Sequence, residues 1–374
     1  MERPPFASRA CILNHLPNSF MLSDREVRLL QPFQRLRTHT GDGFGLAACP
    51  SLGLVVTSNP TTNTLSVWGL PDGAGGGRRG LRLVCTLGGP GSVAPMQFQF
   101  FGGDGGNSGY LAFTPLTTSS VHPLLLVTDA GHDAVHLVDV VGRTHEGYLA
   151  RPGAIAGPRG VAASGTSPLV AVSTWWQKFG RGDVMVYRGS GSAWEAVRVI
   201  GGGLGDGQLD CPHGLRFNRD GSMICVADFL NDRASVFRVG DGGFVRHMAE
   251  LDCPFDVEEV EGGWLVACWA SNTVEFVGDG VGGGGGRRPT LGKAGGGWGS
   301  GDGEFNHPVA LATVPGLGLV VQEWSNARLQ VFITPDTMAM YTNMSGIRVA
   351  WMCTVARAVF NRRANILTGH WCRW

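Results

Sequence analysis

A chain of 374 residues with 43% hydrophobic and 16% charged side chains holds enough apolar material for a core and too little charge for a disordered polymer. Its formal net charge is zero, without the basic excess that phosphate contacts demand of most nucleic-acid binders, so nucleic acid is not the expected partner. The 59 glycines lie scattered between short apolar runs, which points to many tight turns and short strands, hence to an all-β protein.

In chain order, residues 1–25 show no basic stretch followed by a continuous apolar run, so neither a signal peptide nor a membrane span is expected. The nine cysteines are odd in number, include no CxxC, and in cases such as Cys225 sit inside apolar runs. They fit buried free thiols in a reducing, cytoplasmic setting. Residues 26–30 read as an orphan strand. Six repeated units then follow between about residue 39 and residue 332. The first opens at Gly41, Asp42, Gly43 and Phe44, and the second holds residues 126–129 and 132–135. The third runs from Gly157 to Tyr187, and the fifth from Cys253 to Phe276. The fourth and sixth match best: Gly205, Asp206, Gly207 and then Pro212, His213, Gly214 in one, Gly301, Asp302, Gly303 and then His307, Pro308, Val309 in the other. Pro158, Pro212, Pro254 and Pro308 recur 54, 42 and 54 residues apart. Within the fourth unit four strands are expected, near 213–217, 223–227, 234–239 and 244–249, with Asp220-Gly221 and Asp241-Gly242 as hairpin turns. Glycine-rich inserts at 73–80 and 278–303 read as loops between third and fourth strands; they lack the Lys-Ser/Thr of a phosphate cradle. The tail, 333–374, is expected to be helical or disordered and carries Arg348, Arg357, Arg362, Arg363 and Arg373.

The pattern GDG-x-F-x-x-P-x-G-L, then V-A-D, then N-x-R-x-x-V-F resembles the NHL repeat family, most closely over 204–239 and 299–332. That resemblance implies a six-bladed β-propeller. Strand physics agrees: a four-stranded antiparallel sheet with two apolar faces is buried by radial stacking. The expected architecture is an N-terminal segment (1–38) whose strand at 26–30 completes the sixth blade, a propeller (39–332) and a short tail (333–374). Residues 338–341 are the alternative closing strand.

Three residue sets are candidates. Asp228, Asn231 and Arg233 recur as Glu323, Asn326 and Arg328, and a repeated set suits a structural turn rather than a catalytic centre. Trp175, Trp176, Phe229, Trp269 and Trp324 fall on turns between second and third strands, all on one face. They form either a partner-binding surface or packing over neighbouring turns. His213, Asp256 and His307 lie near one end of the channel, where propeller amidating lyases and lactonases hold a metal. Their offset from the aligned prolines makes poor convergence the expectation. The preferred function is a non-catalytic, cofactor-free, monomeric scaffold for a protein or peptide, without a membrane. The alternatives are a metal-dependent lyase or hydrolase at the channel and, third, an RNA binder. Arg181-Gly182-Asp183 reads as a strand entry.

Overall fold

The computed structural model describes residues 31–37, 43–70, 81–91, 96–100, 108–114, 122–176, 181–191, 193–202, 206–248, 250–278, 290–293, 296–315 and 317–333. Its strands form six antiparallel sheets. Strand β1 (Gln31–Arg37) comes first in the chain and belongs to the last blade. Blade 1 is β2 (Leu46–Cys49), β3 (Leu54–Asn59), β4 (Thr64–Gly69) and β5 (Arg82–Pro90), with β6 (Gln97–Phe98) added in parallel at its edge. Blade 2 is β7 (Leu111–Phe113), β8 (Leu125–Asp129), β9 (Ala134–Asp139) and β10 (Thr144–Ala150). Blade 3 is β11 (Pro158–Ala163), β12 (Leu169–Trp176), β13 (Arg181–Ser190) and β14 (Ala193–Ile200). Blade 4 is β15 (Pro212–Phe217), β16 (Met223–Asp228), β17 (Arg233–Arg238) and β18 (Phe244–Met248). Blade 5 is β19 (Pro254–Val260), β20 (Gly263–Cys268), β21 (Thr273–Gly278) and β22 (Thr290–Gly292). Blade 6 is β23 (Pro308–Val314), β24 (Gly318–Glu323), β25 (Arg328–Ile333) and, as its outer strand, β1.

The innermost strands β2, β7, β11, β15, β19 and β23 touch in a closed circuit, which makes the molecule a six-bladed β-propeller. Each blade is a simple meander, labelled a to d from the channel outward. Its apolar residues lie between blades, one core cluster to each of the six interfaces. Val226 and Phe237 of blade 4, for instance, meet Val184 and Ile200 of blade 3. That is why second strands such as β3, β20 and β24 are buried along their whole length, apolar at their first positions and, in β3 and β24, polar only toward the b–c turn. Gly221 closes the β15–β16 hairpin at φ +74, where its amide donates to the Asn218 carbonyl at 2.9 Å.

The closing strand is N-terminal, as expected, but lies further along the chain. β1 pairs antiparallel with β25 from Gln31↔Ile333 to Arg37↔Arg328, with an irregularity between Pro32 and Gln34. The segment chosen from sequence, 26–30, and the alternative at 338–341 fall outside the described residues, as does the tail from 334 onward. Among the described residues no helix is long and apolar enough to cross a membrane. The helical pieces described are two single 3-10 turns, Pro50–Leu52 and Phe229–Asn231.

Candidate functional site

Meander connectivity sends the b–c turns and the d–a connections to one face, which carries one mouth of the channel. Six equivalent residues at the starts of the a strands fill that mouth: Phe44, Tyr110, Arg159, His213, Phe255 and Val309, all buried. Arg159 Nη1 donates to His213 Nε2 at 2.8 Å. Arginine can only donate, so the imidazole is neutral with its proton on Nδ1, and that N–H donates to Tyr110 Oη at 2.7 Å. Burial first, and the Arg159 charge second, push His213 well below the usual histidine pKa. Phe255 lies 4.2 Å from the His213 ring and stacks on Phe44 at 5.7 Å and on Tyr110 at 6.2 Å. The mouth is therefore plugged by side chains whose polar atoms satisfy one another.

The turn aromatics form a second layer above this plug. The Arg159 guanidinium lies 4.5 Å over Trp175. Phe229 packs 4.9 Å from His213 and 5.7 Å from Phe255. Trp269 stacks on His307 of the next blade at 4.1 Å, and Trp324 lies 5.8 Å from Phe44 of the next blade. All four are half-buried: Phe229, Trp269 and Trp324 each set part of the ring against the neighbouring blade, Trp175 lies against Arg159 of its own blade, and the rest of each ring stays accessible. The indole N–H groups of Trp175 and Trp269 are covered yet have no hydrogen-bond partner. The Trp176 side chain lies outside the described residues. Two residues that the repeat alignment passes over join the same face: Leu230, 53% exposed, and Trp298, 66% exposed in the d–a connection before β23. Trp298 sits in a glycine-rich insert, where its lone aromatic side chain was the available signal.

The three residues singled out for a channel metal have different surroundings. His213 belongs to the plug. Asp256 lies within β19, where Oδ2 accepts the Leu311 N–H at 2.9 Å and stands 3.9 Å from Arg216. Arg216 also binds Glu258 at 2.9 Å. Burial pushes the Asp256 carboxyl up to about 6, against the opposing pull of Arg216. His307 precedes Pro308 at φ +55, and its Nδ1 pairs with Ser325 Oγ at 2.6 Å on the rim.

The repeated carboxylates close b–c turns. Asp228 accepts from Asn231 (2.9 Å), Arg233 (2.9 Å) and the Asp210 amide (2.7 Å). Glu323 is held by Asn326, Arg328 and Gln330, and Arg328 reaches on to the carbonyls of Ser300 and Glu304. In blade 2 the same positions carry Asp129, His132, Ala134 and His136, a substitution that the sequence reading missed and that aligning the blades by these turns reveals. Burial pushes the Asp129 carboxyl up, but hydrogen bonds from His136 and His132 outweigh it and hold the group below its ordinary value.

No family model and no curated protein matches this chain. Among solved structures, a chain of "Crystal structure of Nidogen/Laminin Complex" aligns with TM-score 0.48 and 16% identity, covering 65% of this chain and 78% of that one. A likeness of that size says nothing of what this chain binds.

Proposed function

We propose that this chain is a non-catalytic interaction scaffold, a propeller of the NHL-repeat type, that binds a protein or peptide on its b–c face through Trp175, Phe229, Trp269 and Trp324, with Trp176 beside them. The observation that carries this reading is the half-buried aromatic layer seated on a plugged channel mouth. Rings already held by packing lose little rotamer freedom when a partner covers their remaining surface, which is the character of interface hot spots. The NHL assignment is supported by the Asp-x-x-Asn-x-Arg turn of blade 4 and its Glu counterpart in blade 6. A lyase or hydrolase at this mouth has less support, because both His213 ring nitrogens are engaged by Arg159 and Tyr110. A cytoplasmic setting is the reading that thiols such as Cys49, Cys85, Cys211 and Cys253 support, since they form no disulfide among the described residues.

The test is selection from a displayed random-peptide library against the full chain. Selected peptides are expected to lose roughly 30-fold in affinity on Trp269→Ala or Trp324→Ala. Asn218→Ala, in an a–b turn on the opposite face, should leave affinity unchanged, with circular dichroism checking that each variant is folded. Peptides that bind all three variants equally, or a wild-type chain that selects none, would sink the reading.

A further inference from the structure

Asp129 differs from the other two buried turn carboxylates in its charge balance. Asp228 has Arg233 at 2.9 Å and Glu323 has Arg328. At the arginine position blade 2 carries Ala134, and among the described residues no lysine or arginine pairs with Asp129, although its side chain is 0% exposed. Its partners are two imidazoles, His132 Nδ1 at 2.8 Å and His136 Nε2 at 3.1 Å, both on Oδ2. An imidazole, unlike a guanidinium, carries charge only when protonated, so the buried anion has no permanent counter-charge. The same three groups are a nitrogen and oxygen donor set whose ligand atoms all lie within 4.8 Å of one another.

We propose that Asp129, His132 and His136 bind one divalent first-row transition ion, with zinc the best chemical match, and that His145 orients the site from behind. Two imidazoles and one carboxylate suit a borderline ion held by three protein ligands, with a fourth position left for water or for a partner's side chain. The carboxylate is already oriented for this. The Gln99 amide is shared between its two oxygens at 3.1 Å each and the His132 amide reaches Oδ1 at 3.3 Å, while both imidazoles converge on Oδ2. The ring of His136 is fixed by Phe98, edge-on at 5.1 Å, and by Tyr148 at 5.0 Å. Its far nitrogen, Nδ1, meets His145 Nε2 at 3.2 Å, the kind of outer hydrogen bond that sets the tautomer of a ligating histidine. Starting from neutral imidazoles, binding needs no net proton release. The protons facing Oδ2 move to His132 Nε2 and His136 Nδ1, the latter then donates to His145 Nε2, and His145 carries its own proton on Nδ1. His132, with a 7% exposed side chain on the b–c turn, is the entry side. The ion would cross-link strands β8 and β9 of blade 2 at the position where an arginine does so in blades 4 and 6.

The experiment is titration of the full, chelator-treated chain with Co²⁺ and Zn²⁺, followed by metal analysis and visible absorption. One ion per chain is expected, with the ligand-field bands of a low-coordinate nitrogen and oxygen site and no thiolate charge-transfer band. His132→Asn and His136→Gln, which copy the side chains of Asn231 and Gln330 at the equivalent positions, should each weaken binding by roughly 100-fold or more, and His145→Phe by about 10-fold or more. Thermal melts in chelator establish that each variant is folded. A readout that needs no variant is paramagnetic shifting of two histidine rings in the Co²⁺-loaded wild type. No stoichiometric ion, a thiolate band, affinity unchanged in His132→Asn and His136→Gln, or no shifted histidine ring would each overturn the proposal.

Discussion

A single carboxyl illustrates how residue chemistry is set by its neighbours. Asp256 has an ordinary pKa near 3.8 when exposed and about 6 inside β19. The folded chain therefore holds the proton more tightly than the unfolded one. The stabilisation this gives is fully present below about pH 4 and is lost as pH rises through about 6. Asp256→Asn keeps an acceptor for the Leu311 amide and leaves Arg216 its bond to Glu258. Relative to wild type, the variant is expected to gain on the order of 2 kcal/mol between pH 4 and pH 7. Urea denaturation at both pH values measures this; a pH-independent difference would show that Arg216 keeps Asp256 ionised throughout. None of this was legible in the sequence, where Asp256 appeared as a possible metal ligand. By contrast, the contact of Asp228 with Asn231 and Arg233 follows from local spacing, because residues three and five apart across a tight turn meet whatever the rest of the molecule does.

Among elements, the inner strands carry the tightest packing. Gly160 of β11 lies so close to β15 that a Cβ there would stand 2.2 Å from the His213 carbonyl oxygen. Its amide donates to Ser173 Oγ at 2.8 Å, and that hydroxyl donates onward to the same carbonyl at 2.7 Å. Gly160→Ala is expected to cost about 1–3 kcal/mol, because backbone must shift on both blades. Gly240→Ala, with open space around it, should be near neutral, and urea midpoints of the two variants decide the matter. Strand positions were largely readable. In the fourth unit the expected strands match β15, β16, β17 and β18 to within about one residue at each end, since Asp220-Gly221 and Asp241-Gly242 punctuate them locally. The closing strand was not readable at that precision, because Gln31–Arg37 has no strong alternation of its own and takes its register from β25.

For the whole molecule, closure is the cooperative event. β1 brings residues from the start of the repeat region to an edge formed some 300 residues later, as Gln31↔Ile333 shows. Removing residues up to and including Arg37 would leave the β25 edge unpaired, a template for association with other chains. The shortened chain is expected to melt at a lower temperature than the full chain and to associate in a concentration-dependent way, both measurable by circular dichroism and light scattering. A monomeric truncation with an unchanged melt would mean that β1 contributes nothing to closure.

The sequence by itself determined the all-β class, the sixfold repeat and the strands of the fourth blade, because each depends on periodicity and on turn chemistry within a few residues. Only the tertiary structure decided that Phe44, Tyr110, Arg159, His213, Phe255 and Val309 meet as one plug, and that the turn tryptophans lie half-buried upon it. It likewise decided that Asp129 shares its space with His132 and His136 and with no arginine. The plug is assembled by the ring of blades, which joins residues far apart in the chain. The charge balance at Asp129 depends on which groups share one buried volume, and spacing along the chain does not encode that.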